Sequence, residues 1–175
     1  KSGIKSVSDL SGKKLGAPVF DAGRKAFPTF AKANKINNVT WTTMDPPLRE
    51  TMLVRGDVDA ITGFTFTSLL NIEARGVKAE DVVLMQYADH GVKHYGNVII
   101  ASPKLIAENP EVIKKFLSAF TKGAKDVIAK PADAIQYVKA RDGIVNAALE
   151  TRRLQLAIDT VVNSADARKD GFGRL

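Results

Sequence analysis

Apolar positions in the first half of the chain fall into short runs, separated by stretches with helical spacing. Lys13-Lys14-Leu15-Gly16-Ala17-Pro18-Val19-Phe20 is an apolar run entered from Gly12, and it predicts a buried strand. The Ser8-Asp9-Leu10-Ser11-Gly12 stretch ahead of it is turn-like. Phe27, Phe30 and Ala31 stand at i, i+3 and i+4 and predict a helix over 22–34, with a kink or late start at Pro28. Val39 to Met44 is rich in β-branched residues and holds Trp41, the mark of a second strand. Asp45-Pro46-Pro47 starts a helix, with a carboxylate at the cap and Pro where a missing N–H costs nothing. That helix carries Leu48, Met52 and Leu53 and stops at Gly56. Val58 to Phe64 predicts a third strand, 67–75 a helix ending at Gly76, and Asp81 to Tyr87 a fourth strand. Such alternation with short connections points to an α/β fold, a parallel-type sheet flanked by helices.

The second half changes character. Gly96 to Ala101 predicts one more strand, and the pattern then becomes helical. Ser102-Pro103 and Asn109-Pro110 are cap-plus-Pro helix starts. Val112, Phe116, Ala119, Phe120, Gly123 and Val127 form an apolar stripe over 110–129. Pro131 opens a helix with Ala134, Ile135 and Val138, and 146–163 carries Leu154, Ile158, Val161 and Val162. The composition shift near 88–96 is the one candidate boundary.

Composition narrows the classes. A chain of 175 residues with 45% hydrophobic and 26% charged residues sits at the globular average. No apolar run approaches the roughly 20 residues of a membrane-spanning helix. With no Cys, thiol catalysis, Cys-ligated zinc and disulfides are excluded. Lys1 is not an initiator Met, so the expectation is a removed leader or a piece of a longer chain. The net charge of +7 is uneven: 1–90 carries 12 basic and 10 acidic residues, 91–175 carries 14 and 9. Basic residues alternate with acidic ones along the later helices, as on a solvated face, so no nucleic-acid partner is expected.

Most catalytic patterns are missing. Asp89, His90 and His94 lie in a Gly-containing loop without metal-ligand spacing and read as ordinary loop residues; no metal site and no cofactor is expected. There is no nucleophile elbow, and Ser11-Gly12-Lys13-Lys14 precedes a strand where a phosphate loop would follow one. Asp57 and Asp59 would point to one side of a strand, but Asp at a helix-to-strand turn is ordinary turn chemistry.

Three loops stand out by position. Asp21-Ala22-Gly23-Arg24, Asp45-Pro46-Pro47 and Phe64-Thr65-Phe66-Thr67 each follow a predicted strand and open a helix. In parallel α/β sheets such carboxyl-end loops converge on the ligand. Arg24 suits a carboxylate, sulfonate or phosphate, and Phe64 and Phe66 suit an apolar wall. The local alternatives are that Asp21 and Asp45 are plain caps and that the Phe residues belong to the core.

The segment Ile4 to Gly16, with its Asp9-Leu10-x-Gly12-Lys13-x-x-Gly16 pattern, resembles the opening of the second lobe in solute-binding proteins of ABC transporters. Arg55-Gly56-Asp57-Val58-Asp59-Ala60 is similar to that family's helix-to-strand turn. Ser102 to Val112, with Ile106, Asn109-Pro110-Glu111 and then Phe116-Leu117-Ser118-Ala119-Phe120, resembles a further family segment. The subgroup is the nitrate/sulfonate/taurine and thiamine-pyrimidine-precursor type. The resemblance implies a periplasmic-binding-protein-like (type II) fold of two α/β lobes with the first lobe incomplete. Residues 1–90 would be the second lobe and 91–175 the return into the first. It also implies a non-enzymatic, periplasmic protein, a monomer when complete, that traps a small anionic or heteroaromatic solute and delivers it to an inner-membrane ABC permease. The expected ligand-binding residues are Asp21, Gly23, Arg24, Asp45, Phe64, Thr65 and Phe66, with Tyr95 and Asn97 from the hinge side. Asp21 to Arg24 departs from the family's Ser/Thr-rich ligand loop. The alternative function is a cytoplasmic effector-sensing domain of a transcription regulator. An enzyme of pyrimidine or prephenate type ranks last, since neither His falls at a strand's carboxyl end.

Overall fold

The computed structural model describes residues 2–93 and 95–172, and its contacts divide the chain into two compact units, Lys1–His94 and Tyr95–Leu175. The first unit is built on three parallel strands, β1 (Lys14–Ala17), β2 (Thr40–Thr43) and β3 (Ala60–Ile61), in the order β2-β1-β3. Leu15 pairs with Trp41 on one side and Ala60 on the other. Parallel neighbours need long crossovers. Helix α1 (Ala22–Ala33) crosses from β1 to β2, and α2 (Arg49–Arg55) lies between β2 and β3. Helix α3 (Thr65–Glu73) follows β3.

Alternation along β1 sets the two sides of the sheet. Leu15 faces a core of Leu10, Phe27, Phe30, Ile36 and Val92. There Trp41 meets Phe27 edge-on at 5.2 Å, and Tyr87 stacks on Phe30 at 4.4 Å. Gly16 faces Met44 and Val58 so closely that a Cβ there would lie 2.5 Å from the Met44 methyl. Leu69, Leu70 and Ile72 of α3 are also buried. The sheet is thus a small parallel one flanked by helices.

Several expectations change in detail. Helix α1 starts at Ala22 and its assignment continues through Pro28, so the late start is absent. Phe27 and Phe30 anchor it on the core, while Pro28 is exposed. Asp81 to Tyr87 is not a strand. A 3-10 turn, Ala79–Asp81, leads into extended chain and then a second turn, Tyr87–His90, stopped by Gly91 at φ +86°. Val83 and Leu84 are half-exposed, so the apolar run belongs to no buried strand. Gly96 to Ala101 also forms no strand; it lies exposed or half-exposed with no ladder.

Among its described residues the second unit is helical: α4 (Pro103–Glu108), α5 (Pro110–Ala129), α6 (Pro131–Arg141), α7 (Ala147–Ala157) and α8 (Ala165–Asp170). The Ser102 hydroxyl caps α4 by accepting from the Leu105 amide. The helix expected over 146–163 loosens after Ala157 into a π-helical turn, Ile158–Val162. The α5 stripe is present, with Phe116 and Phe120 stacked at 6.4 Å.

Burial of Tyr87, reinforced by the negative charge of Asp21, pushes its phenol well above the ordinary value. A phenol whose pKa is higher folded than unfolded stabilises fully below about pH 10 and loses that contribution as pH rises beyond it. The urea midpoint is therefore expected to fall between about pH 9 and about pH 11, and to fall less in Tyr87→Phe. Parallel pH profiles for the two proteins would contradict this placement of the hydroxyl.

Candidate functional site

The strand order β2-β1-β3 contains a reversal. The chain leaves β1 to one side to form β2, then returns past β1 to form β3. In open parallel sheets the carboxyl ends of the strands at such a reversal are where a ligand crevice is expected. The residues there are Pro18 to Asp21 after β1, Thr62 to Phe64 after β3, and Met44 to Asp45 after β2.

Asp21 is the hub of this end of the sheet. Its carboxylate caps α1 by accepting from the Arg24 amide at 2.9 Å. It accepts from the Thr62 hydroxyl at 2.7 Å and pairs with the Arg49 guanidinium at 3.3 Å. One side chain thus ties the first turn of α1 to the end of β3 and the start of α2. Arg49 also pairs with Glu50 at 3.1 Å, and Ser68 of α3 donates to the same Glu50 oxygen at 2.8 Å. Glu50 is only 2% exposed. Gly63 makes room for this arrangement, because a Cβ there would collide with the Ser68 hydroxyl and reach 3.1 Å from the Arg49 guanidinium carbon.

Arg24 is placed differently. It donates to the Ala17 carbonyl and the Thr43 hydroxyl, both at 3.0 Å. Its guanidinium lies over the Trp41 ring at 4.9 Å. Among the described residues no carboxylate forms an ion pair with it. Gly23 lies close against Thr62, where a Cβ would come within 2.9 Å of the Thr62 Cβ, and its carbonyl accepts from the Tyr87 hydroxyl at 2.9 Å. Phe64 caps α3 in extended conformation, and its ring stacks on Phe66 at 5.3 Å and 19°. The two aromatic rings face one another, and Phe64 keeps about half its surface in water. Thr65 is the first residue of α3.

Asp21, Gly23 and Arg24 are thus gathered with the loop that carries Phe64, Thr65 and Phe66. Asp45 stands at the predicted cap position but makes no side-chain capping bond and is exposed; Pro46 and Pro47 form a 3-10 turn before α2 begins at Arg49. Tyr95 and Asn97 belong to the second unit, where both are exposed. Asp57 pairs with Arg55 at 3.1 Å, and Asp59 accepts from the Lys14 amide at 2.8 Å, so both serve the turn into β3. His90 meets the Phe30 ring edge-on, and His94 lies outside the described residues. Sequence reasoning missed Thr43, Arg49, Glu50, Thr62, Ser68 and Tyr87. The signal for two of them was available: Arg49-Glu50 is a charged pair in the first turn of a helix whose preceding loop already pointed to the crevice.

Glu50→Ala strips a buried guanidinium and a buried hydroxyl of their shared acceptor. Breaking one partner of a buried pair costs about 3–5 kcal/mol, so the denaturation midpoint is expected to fall accordingly. A loss within about 0.5 kcal/mol, the range of ordinary surface substitutions, would rule out this role for Glu50.

Comparison with known proteins places this geometry in a lineage. The chain is 28% identical over 139 residues to a Legionella pneumophila protein named 4-amino-5-hydroxymethyl-2-methylpyrimidine phosphate synthase, covering 78% of this chain and 43% of the relative. It is 26% identical over 133 residues to the riboflavin-binding protein RibY of Chloroflexus aurantiacus, covering 75% of this chain and 37% of the relative. The chain therefore spans about two fifths of the length of these relatives. The first of them corrects the expectation of a non-enzymatic protein, because that relative is named as an enzyme. The second is named for binding a small molecule. The family model described as NMT1/THI5 like matches residues 1–134, so the chain belongs to the NMT1/THI5-like family, whose members include periplasmic solute-binding proteins for nitrate, sulfonates and thiamine precursors.

Proposed function

We propose that the crevice at the carboxyl ends of β1 and β3 binds a small planar heteroaromatic solute bearing an anionic or strongly polar substituent. One observation carries this: Arg24 stands at the carboxyl ends of β1 and β2 with its charge unpaired by any described carboxylate, while the loop after β3 carries a stacked and partly open Phe64–Phe66 pair. A guanidinium braced by Ala17 and Thr43 is preorganised for a carboxylate, sulfonate or phosphate. Phe64 supplies a ring face for stacking. Asp21, Gly23, Asp45, Thr65 and Phe66 complete the proposed site. The names of the two relatives, one a pyrimidine phosphate and the other a flavin, fit this chemistry.

In the whole protein, this unit would be one of two lobes around the solute, and the protein would hand its cargo to an ABC permease from the periplasm. Family membership supports that role.

Thermal shift against riboflavin, 4-amino-5-hydroxymethyl-2-methylpyrimidine, its phosphate, taurine and nitrate tests the ligand class. A ligand at 100 times its Kd stabilises by about 2.7 kcal/mol. Arg24→Ala is expected to weaken binding of an anionic ligand by about 1–3 kcal/mol. Stabilisation by taurine or nitrate alone would overturn the heteroaromatic class. Unchanged calorimetric affinity in the variant would remove Arg24 from the site.

A further inference from the structure

Residues 82–93 cross α1 as a strap rather than as a strand, and the strap is fixed at both ends of the helix. At the far end, Asn34 at the C-cap donates its side-chain amide to the His90 carbonyl at 2.9 Å. The strap closes on itself where the Val92 amide donates to the Tyr87 carbonyl at 2.9 Å, and Val92 is buried in the core. At the near end, the Tyr87 hydroxyl reaches the first turn of α1, donating to the Gly23 carbonyl at 2.9 Å. The ring that carries it lies flat on Phe30, so the hydroxyl is held on a rigid arm.

Gly23 is thereby held from two directions. Thr62, at the end of β3, sits against its Cα on one side, and the Tyr87 hydroxyl holds its carbonyl. The next residue is Arg24. Its guanidinium must reach Ala17, Thr43 and the Trp41 ring together, which demands a fixed first turn. A misplacement of about 1 Å in a supporting shell is enough to loosen a preorganised site.

We propose that Tyr87 is a positioning residue for the ligand site, setting the first turn of α1, and with it Arg24, through the hydroxyl–Gly23 bond. The proposal rests on the site assigned under Proposed function. Through the same bond, occupancy of the site and order in the strap are linked, because a ligand that fixes Arg24 also fixes the carbonyl to which the strap is tied. The strap ends where the second unit begins, at Tyr95.

Tyr87→Phe deletes the hydroxyl and keeps the stacked ring, so the variant is expected to fold. Hydrogen exchange on the ligand-free chain should show amides 23–26 exchanging several-fold faster relative to those of Leu15 to Ala17, with the Asn34 end of the strap unchanged. Equal acceleration at all three places would mean a uniform loss of stability and would overturn the proposal. The second arm uses whichever of the five thermal-shift probes binds the wild-type chain. Tyr87→Phe should weaken it about three- to tenfold, and should weaken it no further in an Arg24→Ala background, since residues acting through one another are non-additive. Additive losses, or an unchanged affinity, would overturn it. If none of the five probes binds, the proposed function fails, while the exchange arm alone still decides whether Tyr87 sets the first turn.

Discussion

The carboxyl end of the sheet depends on one carboxylate. Asp21 caps α1, holds Thr62 at the end of β3 and faces Arg49 at the start of α2. Besides its own helix, segments 28 and 41 positions away along the chain meet on its two oxygens. Desolvating charge is expensive unless the geometry supplies partners, and here every buried member has them. Arg49 lies between two carboxylates, and Glu50 answers both Arg49 and Ser68. With strands of four, four and two residues, the ladders alone fix little, so the side-chain network and the Gly16 and Gly63 close approaches hold the loops in place. The fold thus divides between a short hydrogen-bonded sheet and a polar clamp at one end.

Much of the first unit was legible in the sequence because its signals are local. A Gly before an apolar run marked β1, the Phe27–Phe30 spacing marked α1, and Gly56 in the left-handed conformation closed α2 as expected. The two predicted strands that are absent failed for a common reason. Val82 to Met85 and Val98 to Ile100 have strand composition, but a strand exists only where a neighbour offers a ladder, and composition carries no information about neighbours. The late start expected at Pro28 is absent: α1 begins at Ala22, and Phe27 and Phe30 are its buried residues. The loops after the strands were placed correctly by topology alone. Thr62 and Tyr87 were invisible, because each acts on a residue more than 40 positions away.

The second unit shows the same limit from another side. The α5 stripe was readable as amphipathic, and the helix spans Pro110–Ala129 with its aromatic members stacked along one side. Yet Phe116 and Phe120 each keep about half their surface exposed. Periodicity states which side of a helix is apolar, not what lies against it. The family match ends at residue 134, so α6 begins within it and α7 and α8 lie beyond it.

The contrast between two arginines makes the charge argument concrete. A net charge of +7 is no guide to the crevice, because most of the excess lies after residue 90. At the crevice itself, Arg49 is balanced by Asp21 and Glu50 and is 11% exposed in its side chain. Its charge is spent on the fold. Among the described residues Arg24 has only neutral acceptors and an aromatic face, and no carboxylate is ion-paired with it. A cation surrounded by neutral acceptors attracts an anion more strongly than one already paired, because the incoming group displaces no carboxylate. Local pairing, rather than total charge, is therefore the ground on which Arg24 is proposed to read the ligand, with the Tyr87 hydroxyl proposed to set where it stands.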